Sequence, residues 1–223
     1  METRPGKAYP LGATFDGTGT NFAIYSSVAT AVTLCLLDDD LNEMRIPMTE
    51  VDAYVWHVYV PQVRAGHRYG YRIDGPWDPA NGLRCDSSKL LLDPYAKAVE
   101  GQLKDSLDLL SYQPDDPLSL KGGDSAKATM HSVVVNPFFD WEGDRSPGHD
   151  YSESIIYEAH VKGMTMRHPD VPEELRGTYA GMAHPAIIEH LTKLGATTVE
   201  LMPIKQLTND TTLQAKGPSN YRG

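Results

Sequence analysis

The hydrophobic pattern of this chain changes period once, and that change dictates two kinds of folding unit. Before Ser88 no stretch repeats its apolar residues at helical spacing; instead short β-branched and aromatic runs recur roughly every ten residues, separated by Gly, Pro and Asp. Residues 21–37 read as two strands divided by Ser26, Ser27 and Thr30. Residues 51–60, VDAYVWHVYV, read as a further strand with a change of face at Val55 and Trp56, and residues 68–73 as another. Many short strands with frequent turns predict an antiparallel, immunoglobulin-like β-sandwich. Residues 104–124 are rich in Asp, Ser, Pro and Gly and read as an irregular connection, after which HSVVVNPFFDW supplies one more apolar strand.

The sandwich is expected to occupy residues 1–140, and residues 141–150, which are polar or turn-forming, to be a linker. Beyond it, residues 154–161 (SIIYEAHV) read as a buried strand. Residues 184–194 place Ile187, Ile188, Leu191 and Leu194 on one helical face, with Pro185 suited to the first turn and Gly195 to the carboxy-terminal cap. Residues 197–204 (TTVELMPI) then read as a second buried strand. A β-α-β unit with a right-handed crossover results. The expected fold class is therefore mainly β: a sandwich, then over residues 151–223 a β-α-β unit of the kind that opens a parallel barrel, which would be incomplete here.

Charge narrows the partners. Lys and Arg total 20 against 30 Asp and Glu, and a net charge of -10 repels polyanions, so neither nucleic acid nor an acidic membrane surface is expected. A neutral ligand fits better. The first ten residues lack the apolar core of a signal peptide and no run of about 18 apolar residues occurs, which gives a cytoplasmic expectation. Cys35 and Cys85 have neither CxxC spacing nor a histidine cluster and read as reduced thiols. No feature of the pattern sets an oligomeric state.

Each candidate for chemistry has an ordinary structural reading beside it. Trp56, Trp77 and Trp141 are flat rings on which a sugar face could stack, but Trp56 lies in a strong strand and reads as core. Trp77, in the DGPWDP loop, is the sandwich's candidate carbohydrate contact. Glu158 and Glu200 lie on neighbouring predicted strands, yet both are mid-strand, where pairing with Arg or Lys is the expected role. The histidines lack zinc spacing, and Gly177 and Gly181 in RGTYAG lack the Lys and Ser or Thr that complete a phosphate cradle. No metal or cofactor is implied.

Two stretches carry a family resemblance. GHRYGYRIDGPWDPANGLRCDSSKLLLDPYAKAV, residues 66–99, has a Gly-Pro turn after a tyrosine-rich strand and then KLLLDPYA; residues 155–204 have the order strand, helix, strand. Both resemble the glycogen-debranching branch of glycoside hydrolase family 13. The resemblance implies a carbohydrate-binding module of family 48 joined to a (β/α)8 barrel that hydrolyses α-1,6 branch linkages in glycogen or limit dextrins, with α-glucan as the partner. It also implies a retaining reaction, which needs a nucleophilic carboxylate and a carboxylic acid about 5 to 5.5 Å apart. In the family these acids, with a third Asp, follow barrel strands four, five and seven, so no catalytic residue is assigned here and this chain is expected to be inactive alone.

The tail departs from the family pattern. Arg222 stands where Trp is usual, Lys205 where His is usual, and Pro218 interrupts a familiar run, as in a truncated copy or a shifted reading frame. Tyr221 is the second candidate carbohydrate contact. A non-catalytic glucan-binding or vestigial module is the alternative function, and a trehalose-releasing or branching relative a third.

Overall fold

The computed structural model describes residues 1–104, 106–206 and 216–217, and the chain divides into two compact units, Met1–Phe139 and Asp140–Gly223. Tyr221 lies outside the described residues.

The first unit is built on two antiparallel sheets. One contains β1 (Gly12–Phe15), β2 (Thr20–Tyr25), β5 (Glu50–Asp52) and β6 (Val55–Val60) in the order β1-β2-β6-β5. The other contains β3 (Ala31–Leu37), β4 (Glu43–Met48), β7 (Arg68–Asp74), β10 (Ala98–Glu100) and β13 (His131–Val133) in the order β10-β13-β7-β3-β4. Phe22, Ile24, Val58 and Val60 from the first sheet and Val32, Leu34, Leu36, Ile46, Tyr69 and Tyr71 from the second form one core, which makes the unit a sandwich. Phe22 and Tyr69 meet edge to face at 5.0 Å, the arrangement that ring quadrupoles favour.

Strand β3 shows why its sequence is nearly all apolar. Val32, Leu34 and Leu36 face the main core, while Cys35 and Leu37 on the opposite face pack with Leu90 and Ala126 in a second cluster. A strand covered on both faces has no solvated side to alternate toward. Burial pushes the Cys35 thiol up to about 12, so it behaves as a small hydrophobe.

Three features of the first unit differ from expectation. Residues 51–60 are not one strand: Ala53 (φ 48°) and Tyr54 (φ 68°) reverse the chain, and Asp52 pairs with Val55 across the hairpin between β5 and β6. The change of face in the sequence is this turn. The apolar run 131–141 forms a strand only to Val133, because Pro137 has no N–H to give a ladder and the Asn136 side chain accepts from Phe138 N at 3.1 Å, which turns the chain. Phe138, Phe139 and Trp141 are exposed. The irregular connection contains a hairpin, β11 (Tyr112–Gln113) with β12 (Asp116–Leu120), closed by the Pro and Asp turn between them.

In the second unit β14 (Ile156–Ala159) pairs in parallel with β15 (Thr198–Leu201), and α1 (Val161–Thr165), α2 (Tyr179–Met182) and α3 (Pro185–Lys193) lie between them in the chain. Pro185 opens α3, the His184 ring accepts from Ala186 N, and Gly195 follows with φ 77°. Ile187 and Leu191 are buried with Val171, whereas Ile188 and Leu194 are exposed, so the apolar face of α3 is half as wide as expected. Neither strand is buried: all four residues of β15 are exposed, and in β14 only Ala159 is buried.

A parallel pair this open has few contacts holding its hydrogen bonds closed. Amide exchange in β14 and β15 is therefore expected to be about a hundredfold faster than in β3 and β7. Equal protection in both units, read by hydrogen-exchange mass spectrometry, would contradict this account of their cores.

Candidate functional site

Trp77 is fixed by the turn that contains it. It lies in β8 (Trp77–Asp78), which pairs with β9 (Leu83–Arg84) around a short 3-10 turn closed by Gly82 at φ 81°. That pairing sets the Arg84 guanidinium 5.9 Å from the Trp77 ring centroid and 5.6 Å from that of Tyr112 in β11. The indole Nε1 donates to the carbonyl of Leu118 at 2.8 Å, and Arg84 Nη1 donates to that of Pro117 at 3.3 Å. Beside them Arg84, Leu109, Leu110, Ser111, Tyr112 and Pro117 line an open cavity of about 520 Å³.

This arrangement has a definite chemistry. With its N–H used on Leu118, Trp77 has only ring surface to give a ligand, and Arg84 supplies donors without an acceptor. Ring faces and guanidinium donors together suit a neutral polyhydroxylated ring, whose C–H face stacks and whose oxygens accept. Sequence reasoning singled out Trp77 but missed Arg84 and Tyr112, because Tyr112 comes near only through the hairpin of β11 and β12.

The base of that hairpin is held by the KLLLDPYA segment. Lys89 is buried, and its Nζ donates to the carbonyls of Asp108 (2.9 Å), Gly122 (2.9 Å) and Gly123 (2.6 Å). Burial lowers its pKa, which the nearby carboxylate of Asp86 opposes. Leu91 exchanges backbone hydrogen bonds with Tyr71 at 2.8 and 2.9 Å, and Leu90 packs in the second cluster. Buried Asp93 accepts from the Tyr69 hydroxyl at 2.7 Å, while its N–H donates to Ser132 Oγ at 2.9 Å. Burial raises the Asp93 carboxyl and the Tyr69 hydrogen bond opposes the rise. Thus Lys89, Leu90, Leu91 and Asp93 act as fasteners of the sandwich.

A second fastener is Arg72 in β7. Its buried guanidinium donates to both carboxylate oxygens of Glu43 in β4, to Asp124 at 2.7 Å and to the carbonyls of Ser87 and Ser88. For Glu43 burial works to raise the carboxyl, but the hydrogen bonds from Arg72 and Arg45 outweigh it and hold the group below its ordinary range. Asp124 is lowered in the same balance, with Arg72 and the Ala126 N–H against burial.

The remaining sequence candidates fall in ordinary roles. Trp56 packs against the main core as expected, and Trp141 is exposed. Glu158 and Glu200 are direct neighbours across the parallel pair and both are exposed. Among the described residues no ion pair joins either of them to Arg or Lys, contrary to expectation, because both side chains stand on a solvated sheet. His160 and His184 cap helices. His131 bonds the carbonyl of Ala126 at 2.9 Å. The Gly177 N–H donates to Thr165 Oγ1 at 2.7 Å and the Gly181 N–H to Thr178 Oγ1 at 3.1 Å, so the glycine loop has spent these two donors internally. Beside the carboxy-terminal ends of β14 and β15, an open cavity of about 540 Å³ is lined by His160, Lys162, Thr178, Tyr179, Met202 and Lys205 among others.

Residues 10–96 match the model of carbohydrate-binding module 48 (isoamylase N-terminal domain). The chain is 57% identical over 222 residues to the glycogen operon protein GlgX homolog of Mycobacterium tuberculosis, covering 98% of this chain and 31% of that protein. It is 46% identical over 225 residues to the glycogen debranching enzyme of Yersinia enterocolitica, covering 98% of this chain and 32% of that one. This chain thus spans about a third of the length of the curated relatives it matches. A pullulanase from Anoxybacillus sp. LM18-11, solved with maltotetraose, is similar in fold at TM-score 0.61 and 22% identity, over 91% of this chain and 26% of that one. Klebsiella pneumoniae pullulanase, solved with maltotriose, gives TM-score 0.64 at 21% identity, over 91% and 18% of the two chains.

Proposed function

We propose, from the match of residues 10–96 to the model of carbohydrate-binding module 48, that this chain is part of a glycogen-debranching hydrolase that cleaves α-1,6 linkages in glycogen breakdown. The observation that carries this reading is the match to proteins named for glycogen handling, at 57% and 46% identity over 98% of the chain. We assign residues 1–140 to the sandwich, 141–150 to a linker and 151–223 to the opening of a (β/α)8 barrel. The parallel pairing of β14 with β15 supports that assignment, since parallel strands joined through helices are the repeating unit of such barrels.

The residues of this chain act on glucan by holding it. Trp77 offers the apolar face of an α-glucan a ring to stack on, and Arg84 donates to sugar oxygens beside it. Glu158 and Glu200 are assigned no part in bond cleavage, because barrel enzymes place their acids at the carboxy-terminal ends of strands and these two are mid-strand. Among the described residues no helix is long and apolar enough to cross a membrane. We place the protein with stored glycogen in the cytoplasm.

The test is a chimera. Replacing the matching segment of the Yersinia enterocolitica enzyme with this chain is expected to give a protein that releases linear chains from a limit dextrin. A folded chimera that binds the dextrin but releases nothing would instead favour a non-catalytic glucan-binding module, and one that neither binds nor cleaves would overturn the proposal.

A further inference from the structure

Tyr25 and Tyr54 stand in the first unit as an exposed aromatic corner. Tyr25 ends β2 and is 51% exposed, and Tyr54 in the turn between β5 and β6 is 60% exposed. Their ring centroids are 6.4 Å apart and the planes cross at 77°, so each ring presents a separate wall. Tyr25 is paired with Val55 across β2 and β6, and Ser26 N donates to the carbonyl of Tyr54 at 2.9 Å, which fixes the turn against the strand end.

The backbone beneath this corner disfavours the residues it carries. A two-residue hairpin with both φ values positive is the place of Asn-Gly, because a Cβ is costly in the left-handed region and a bulky aromatic is rare there. Here the positions hold Ala53 at 48° and Tyr54 at 68°. A large ring kept in a strained turn, with much of it open to solvent, is poorly explained by packing, since an exposed ring stabilises a fold little. Strain of this kind collects where a side chain must be presented.

The surroundings select the ligand. Ser27, Glu50 and Asp52 are exposed around the turn, and the Asp52 carboxylate is oriented by His57 Nε2 at 3.1 Å. Serine hydroxyl and carboxylate oxygens bind sugar hydroxyls, whereas the acidic rim and the net charge of -10 repel anionic ligands. Val28 and Val51 are the exposed aliphatic neighbours in sequence, too little apolar surface for a stable protein interface. We infer that Tyr25 and Tyr54 form a second binding site for a neutral pyranose oligosaccharide, with one sugar face stacked on a tyrosine ring and its hydroxyls bonded at the rim. The inference rests on the glucan ligand proposed above but on residues other than Trp77.

Site-resolved amide shifts during titration of the full chain with maltoheptaose test it. The amides of Ser26, Ala53, Tyr54 and Val55 are expected to shift and saturate, and to do so equally in Trp77→Ala. Tyr54→Asn is expected to raise the melting temperature, since Asn accepts a positive φ, while weakening binding at this corner by about fivefold. A purely structural tyrosine would give the gain in stability with sugar binding unchanged, and that result would overturn the inference. Shifts at Trp77 with none at Tyr54 would overturn it too and leave the function proposed for Trp77 standing. Shifts at neither would remove both. Self-association that Tyr54→Asn abolishes, with no response to sugar, would identify the corner as a contact between copies and refute the sugar site.

Discussion

Replacing Arg72 with methionine is expected to cost the first unit about 3 kcal/mol of stability, because it leaves Glu43 mostly desolvated with only the exposed Arg45 as partner. It also removes the donor that joins Asp124 and the carbonyls of Ser87 and Ser88 to β7. Methionine fills most of the space, so the loss reports the missing donors more than a cavity. Urea denaturation followed by circular dichroism measures it, and a change under about 0.5 kcal/mol would show that the cluster is merely surface pairing.

The same cluster sets a pH dependence. Glu43 and Asp124 have folded pKa values below their unfolded ones, so the unfolded chain takes up protons first as the pH falls. Their contribution is full above the unfolded values and disappears as the pH drops through the folded ones, below about pH 4. Wild-type stability should therefore fall more steeply there than that of Arg72→Met.

The second large effect concerns Trp77. Trp77→Ala should weaken maltoheptaose binding beside the hairpin of β11 and β12 by about tenfold, since a stacking ring and its buried contact area are both lost. The indole also holds Leu118, so a second substitution separates the two roles. Trp77→Phe keeps a ring and removes the N–H; it should retain affinity within about threefold while amide exchange in β12 quickens. Equal losses in both variants would mean that Trp77 serves the glucan only by positioning the hairpin.

The parts of this fold that were legible in the sequence are those whose cause is local. Strands β2, β3 and β7 carry β-branched and aromatic runs between turn residues, and α3 has its proline and glycine where its ends lie. The turn at Ala53 and Tyr54 was hidden because neither residue favours a positive φ. The hairpin of β11 and β12 was hidden because its residues are mostly exposed and do not alternate; what holds it is Lys89, which meets its carbonyl partners only after the chain has folded. The width of the buried face of α3 was overstated because periodicity reports which residues share a face and leaves open what covers that face.

The candidate site was legible in one residue of three. Trp77 announced itself as an aromatic in a loop, whereas Arg84 and Tyr112 acquire meaning only through the guanidinium set between two rings. Tyr25 and Tyr54 are ordinary strand and turn residues until the hydrogen bond from Ser26 brings the two rings together.

Affinity electrophoresis of the purified chain through gels containing glycogen puts the glucan-holding role to its most direct trial. Mobility should fall progressively as glycogen concentration rises, and Trp77→Ala should migrate faster than wild type in the same gel. A mobility independent of glycogen at every concentration would contradict the account.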